Sequence, residues 1–453
     1  MRTHRPGPRT WLTTFATASL LVTVGCGTTA TQETSESAMP TSAASASAAP
    51  ASSAAAEPGP GVSDTEIVIG LETNLKSQEN QGGTGLQVPS AAEQVPILVD
   101  LINAAGGING RTITLVTADF DPSQPTAPQE NAACNTFTQD NKVFAVLALR
   151  SDATDAYLTC LQDAGTILIS SSPTQPVTAE ILAAHPGFYA PQTMSLTRFV
   201  PAYVTALSDS GFFTDGKLGV LVSADNPTFQ AVYDAVMAPA LDAAGATPVY
   251  VGSVPDDFAK AGDAAATELP KMAEAGVDRL MALEPNGIGI GTFIAGGAAG
   301  GFTPKATMST FDTPDPVRTA LPPGTLTGVT GFAFGSTVDD TAVDTLNPTA
   351  KKCIADLTAG GQQIADSNGR GVSLVNCAGV WFLADALANV TGVVNADSFA
   401  EGALALGPDY QSPWGSLDMT LDGRTGQHQF TEFEYKPKCN CFVYGDTPID
   451  TVG

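Results

Sequence analysis

The sequence predicts an α/β protein made of two tandem units, each a parallel sheet covered by helices. Short, nearly continuous apolar runs alternate with helical patterns, as strands buried on both faces require. The alternation pauses after residue 170 and restarts at residue 217, so two units of about 120 residues each follow one another. With 43% hydrophobic residues over 453 positions, the chain can build substantial cores.

The ordered chain is expected to begin near Val62, with a strand at Glu66–Leu71. Ser90 and Glu93 form a capping-box signature for a helix ending near Ala105, with Pro96 at its start or at a kink. Strands follow at Arg111–Thr117, Val143–Leu149 and Thr166–Ser170, with helices at Gln129–Asp140 and Ala153–Ala164. The second unit reads as strands at Lys217–Val222, Pro248–Gly252, Asp278–Leu283 and Lys305–Ser309. Its helices fall near Thr228–Ala244, Ala261–Ala275 and Ile288–Gly300. Beyond Leu326 come a strand at Thr327–Phe334 and helices at Ala342–Ala365 and Leu374–Val390. Asp422-Gly423 predicts a hairpin joining Trp414–Leu421 to Gln429–Tyr435, followed by a strand at Cys441–Tyr444.

The N-terminus carries Arg2, Arg5 and Arg9, then a mostly apolar run from Trp11 to Val24, too short for a mature span. Thr23-Val24-Gly25-Cys26 resembles the lipobox of bacterial lipoproteins, which implies lipidation of Cys26, although Thr23 stands where Leu is usual. Residues 27–60 lack Leu, Ile, Val and aromatic residues, the composition of a disordered tether. No other stretch reads as a span. The protein is therefore expected outside the cell, lipid-anchored to the outer face of the bacterial cytoplasmic membrane. Six further cysteines suit an exported chain. Fifteen connectivities are open to six cysteines, and proximity favours Cys134–Cys160, Cys353–Cys377 and, least securely, the tight Cys439–Cys441 ring.

Twenty basic residues stand against 46 acidic ones, and three of the basic residues lie in the first nine positions, leaving 17. Such a chain repels phosphate, which argues against nucleic acid and against a basic membrane-binding surface. Three histidines, no paired metal-ligand spacing, no G-x-S-x-G elbow and no H-E-x-x-H give no basis for an enzyme, a metal or a cofactor. Gly211–Lys217 mimics a phosphate loop but precedes a strand and lacks the Ser/Thr.

The block Ile102-Asn103-Ala104-Ala105-Gly106-Gly107-Ile108-Asn109-Gly110-Arg111 strongly resembles the type I periplasmic binding proteins, particularly the leucine/isoleucine/valine-binding branch serving ABC importers. Gly61–Asp64, Asp119/Asp121, Gly165–Ile169 and Asp422–Arg424 agree with it. The resemblance implies two Rossmann-like lobes joined by a hinge of three crossing segments, with a solute held between them. Division at 1–26, 27–60, 61–190, 191–311 and 312–453 follows: signal, tether, first lobe, second lobe and returning segments completing both. Ligands of parallel sheets sit beyond the carboxyl ends of the strands. The resemblance places a solute carboxylate on Ser172 and Thr174, with Arg150 and Ser151 where the family has Ser, and with Ser77 after the first strand. Thr228, Phe229, Glu284 and Asp312 take the second-lobe positions. The scarcity of Arg in so acidic a chain singles out Arg150 as the carboxylate anchor. The expected function is a monomeric, non-catalytic ABC-importer subunit for a small, polar, amino-acid-like solute, with the permease as partner; the alternative is a ligand-binding sensor subunit of a membrane receptor.

Overall fold

The computed structural model describes residues 57–74, 89–121, 124–256, 258–335, 346–364 and 366–451. Cys26, the signal and most of the tether, and Ser77 lie outside the described residues. The first sheet takes β1 (Glu66–Thr73), β2 (Thr112–Asp119), β3 (Ala145–Ala148), β4 (Ile167–Ser170) and β5 (Phe188–Tyr189) in the order β2-β1-β3-β4-β5. All its pairings are parallel, with Ile69 opposite both Leu115 and Ala145. β3, β4 and β5 are fully buried and β1 nearly so, as strands covered by helices on both faces are, whereas the edge strand β2 buries only Ile113. The second sheet repeats the arrangement with β6 (Leu218–Ser223), β7 (Tyr250–Val254), β8 (Arg279–Leu283), β9 (Lys305–Ser309) and β10 (Thr330–Ala333), in the order β10-β9-β8-β6-β7.

After β10 the chain returns to the first lobe. Helices Pro348–Ala359, Ser367–Ala388 and Ala396–Leu404 contribute Cys353, Leu374, Phe382, Leu383 and Phe399 to the same core as Ile69 and Ile169. Helix Ser367–Ala388 is long and apolar enough to cross a membrane, yet most of it is buried in that core. It starts seven residues earlier than predicted because the Asp366 side chain accepts from the Gly369 amide and caps it. The sequence reading passed over helix Leu196–Asp209, whose Phe199 and Tyr203 anchor the second-lobe core.

The predicted hairpin at Asp422-Gly423 is not formed. Instead β11 (Tyr410–Ser412) pairs with β12 (Gly415–Leu417), and β13 (Gln429–Lys436) joins the second sheet between β10 and β14 (Cys441–Tyr444), antiparallel to both. A short β15 (Ile449–Asp450) also pairs with β13. The Asp422 carboxylate explains the difference. It accepts from the amides of Arg424 and Thr425, bending the chain so that 424–427 runs beside 190–193. Ala190 donates to Arg424 O, Gly426 to Pro191 O and Gln427 to Thr193 O, so two crossing segments are bonded to each other.

The signature block forms an elbow at the amino ends of β1 and β2. Asn103 exchanges two bonds with the backbone of Ile113, Asn109 Nδ2 donates to Leu387 O, and Arg111 Nε donates to Ser63 O. Gly107 has φ +73°, and a Cβ there would lie 2.0 Å from Arg111 O, so only glycine fits. All three cysteine pairs are joined. Cys134–Cys160 links helices Thr126–Cys134 and Asp155–Asp163. Cys353–Cys377 links two helices within the first-lobe core, and Cys439–Cys441 closes a ring before β14.

Candidate functional site

The carboxyl ends of β3 and β4 face those of β9 and β10 across a cavity of about 250 Å³. Leu149 and Ser172–Thr174 line it from the first lobe, and Thr310, Thr313–Pro316, Ala333 and Phe334 from the second. Its wall is completed by the first turns of helix Ser367–Ala388, with Val372 and Val375, and by Trp414 and Tyr444. The lining is largely apolar, with a few convergent hydroxyls, the composition of a small-molecule site. Among the described lining residues, Asp315 is the one ionisable acid or base outside the phenol of Tyr444.

Each hydroxyl is held by its own turn. Ser172 Oγ accepts from the Thr174 amide at 3.3 Å and lies 3.1 Å from Thr174 Oγ1, so both side chains are presented as one pair. Thr310 Oγ1 donates to Phe334 O and accepts from Phe334 N, tying the end of β9 to the end of β10. Thr313, in the left-handed region at φ +42°, donates to Asn286 O. Trp414 packs over Gly335, where φ is +90° and a Cβ would come within 2.3 Å of the indole nitrogen.

The cavity thus contains Ser172 and Thr174 of the residues predicted from sequence. Arg150 stands outside it. Its Nε donates to Glu72 at 2.6 Å, Nη2 to Glu130 at 2.7 Å and Nη1 to Asp152 at 2.9 Å, while its guanidinium lies over the rings of Phe120 and Tyr157. Burial opposes its charge, but Glu72, Asp152 and Glu130 outweigh that and hold its pKa above the ordinary value. Burial pushes Glu72 up despite the Arg150 charge. Ser151 is half-buried beside this cluster, away from the cavity lining.

The second-lobe candidates serve their own elements. Phe229 is buried in the core, edge-on to Phe311. Thr228 is half-buried in a helix whose Asn226 side chain caps it by accepting from the Thr228 amide. Glu284 accepts from Gly289 N and Ile290 N, closing the start of helix Ile288–Gly300; burial, then the nearby Asp312 charge, push its pKa up. Asp312 accepts from Ser309 N at 2.6 Å and Ser309 Oγ at 2.9 Å in a reciprocal cap, and burial raises its pKa to about 7. Sequence reasoning placed Thr310 in the segment beyond the strand Lys305–Ser309, at a ligand-facing strand end, without giving it a role; it missed Phe334, Ser367 and Trp414. The one available signal for the missed residues was position: Phe334 ends a predicted strand, and Ser367 follows a helix-capping Asp.

A family model described as periplasmic binding protein matches residues 78–440. A comparison with curated proteins finds no match. Among solved structures, an ABC transporter substrate-binding protein from Desulfitobacterium hafniense in complex with Leu is 17% identical, covering 84% of this chain and 100% of its own, at TM-score 0.59. A solute-binding protein of an ABC transporter from Rhodopseudomonas palustris, in complex with p-hydroxybenzoic acid, is 14% identical over 85% and 97%, at 0.64. A branched-chain amino acid transporter substrate-binding protein from Streptococcus pneumoniae, in complex with isoleucine, is 16% identical over 85% and 99%, at 0.59. These likenesses show the fold, two parallel-sheet lobes, as the sequence predicts.

Proposed function

The chain belongs to the periplasmic binding protein family, and from that premise we propose that it is the extracytoplasmic, lipid-anchored solute-binding subunit of an ABC importer, without catalysis of its own. The carrying observation is the apolar cavity between the two sheets, entered by the paired hydroxyls of Ser172 and Thr174. We place a solute carboxyl group on that pair and an apolar or aromatic body against Leu149, Phe334, Val372, Val375 and Trp414. The relatives named above hold leucine, isoleucine and p-hydroxybenzoic acid, each with a carboxyl group on an apolar frame, which supports this class of solute. Residues 61–190 and 191–311, completed by 312–453, form the closing lobes in this reading. Cys26 tethers a monomer whose partner is the permease.

Calorimetric titration with L-leucine, L-isoleucine and 4-hydroxybenzoate tests the solute class, after native mass spectrometry has checked for a retained molecule. Ser172→Ala is expected to weaken the bound acid by about 1.5–3 kcal/mol, the range for a hydrogen bond to a charged group. A retained molecule without an acidic group, or an unchanged affinity in the variant, would overturn the carboxylate assignment.

A further inference from the structure

Arg318 sits on the second-lobe helix Pro314–Ala320 and uses its three nitrogens on three different partners. Nε donates to Asp315 Oδ1 at 3.0 Å, Nη1 to Asn440 O at 2.9 Å and Nη2 to Ser367 Oγ at 3.1 Å. Asp315 and Ser367 both line the cavity, but Asp315 belongs to the second lobe and Ser367 opens the core helix of the first. One guanidinium therefore orients the acidic group of the pocket and bonds across the cleft. The planar fork of Arg makes the two tasks inseparable, because moving one nitrogen moves the others.

The third partner explains how the fork is aimed. Asn440 lies inside the Cys439–Cys441 ring, in the left-handed region at φ +50°, and its carbonyl accepts from Arg318. Its side chain is fixed as well: Tyr435 Oη donates to Asn440 Oδ1 at 2.6 Å and accepts from Gly324 N at 2.8 Å. A ring of so few atoms leaves the intervening residue little freedom, so the carbonyl is a rigid rest for the guanidinium.

We propose that Arg318 is the positioning residue of this site, coupling the placement of Asp315 to closure of the cleft against Ser367, with its aim set by the Cys439–Asn440–Cys441 ring. This rests on reading the cavity as the solute site. The coupling predicts that loss of Ser367 in one lobe is felt around Arg318 in the other.

Hydrogen exchange followed by mass spectrometry on the protein without added solute reads that coupling directly. Arg318→Lys and Ser367→Ala are each expected to raise exchange in both segments, 314–320 and 366–375, and the double variant to exceed neither single by more than the scatter. Replacing Cys439 and Cys441 together by Ser is expected to raise exchange in the same two segments. With whichever of L-leucine or 4-hydroxybenzoate binds, Arg318→Lys and Ser367→Ala should each raise Kd by about tenfold, non-additively. Exchange confined to the mutated segment, or additive effects, would overturn the proposal, since a merely local Arg318 would respond in that way. If neither probe binds the unaltered protein, the proposed solute class fails, while the exchange result still decides the role of Arg318.

Discussion

The two lobes share one strand order and hold their cleft ends together by different chemistry. In the first, a half-buried Arg150 neutralises the buried Glu72 and Glu130 between two aromatic rings, and two disulfides pin the surrounding helices. In the second, the carboxylates Glu284 and Asp312 are bound by backbone amides, and the core rests on an aromatic cluster in which Phe199 lies edge-on to Phe311 at 4.8 Å and stacked on Tyr203 at 5.1 Å. The contrast shows that charged residues at strand ends can be spent on building the rim of a cleft. In both lobes the groups left facing the cavity are mainly hydroxyls and apolar surfaces.

The largest expected break in this comparison falls on the aromatic side. Phe199→Ala should cost about 3–5 kcal/mol, the range for emptying a buried aromatic site, and should unfold the second lobe before the first in urea. Two-probe unfolding, with near-ultraviolet circular dichroism against fluorescence of the first-lobe Trp381 and Trp414, would register the separation; coincident curves would mean the lobes share one cooperative unit.

On the ionic side, Arg150→Met should destabilise by about 3–5 kcal/mol, because Glu72 and Glu130 would remain buried without their counter-charge. Solute affinity should stay unchanged if the residue only builds the rim. Adding Glu72→Gln and Glu130→Gln should restore much of the loss, and failure to do so would assign Arg150 more than charge balance.

The smallest effect is the pH dependence of the second lobe. Unfolded, the Asp312 carboxyl titrates at its ordinary value; folded, it is raised to about 7. Between those values the folded chain holds a proton the unfolded chain lacks, so this group's contribution to stability falls as pH rises from about 4 to 7. Melting should therefore occur a few degrees higher at pH 5 than at pH 7.5, and Asp312→Asn should shrink the difference. Glu72, also raised, acts in the same direction, so the diagnostic quantity is the change made by the Asn variant.

The strands were legible because each is a short apolar run between polar stretches; the Ser90 cap followed from a local rule, and Ser172 and Thr174 from the family resemblance. What escaped depended on distance along the chain. Arg150 is conspicuous by its scarcity, but nothing local reveals Glu72, 78 positions earlier, waiting for it. Asp422-Gly423 satisfies hairpin preferences, yet its turn is bonded to a segment more than two hundred residues away. Phe334, Ser367 and Trp414 become cavity walls only once the returning segments are placed, a matter of topology that periodicity does not encode.

Asn103, Gly107, Asn109 and Arg111 brace the floor of the first lobe, at the opposite ends of the strands from the cavity. The stretch by which such a chain is most readily classified is therefore indifferent to its cargo. Changes in the rim loops would leave the bonds of this block undisturbed. On the proposed reading of the cavity, sorting such proteins by what they carry calls for comparing Ser172, Thr174, Thr310, Phe334, Ser367 and Trp414, positions scattered through the chain and gathered only in space.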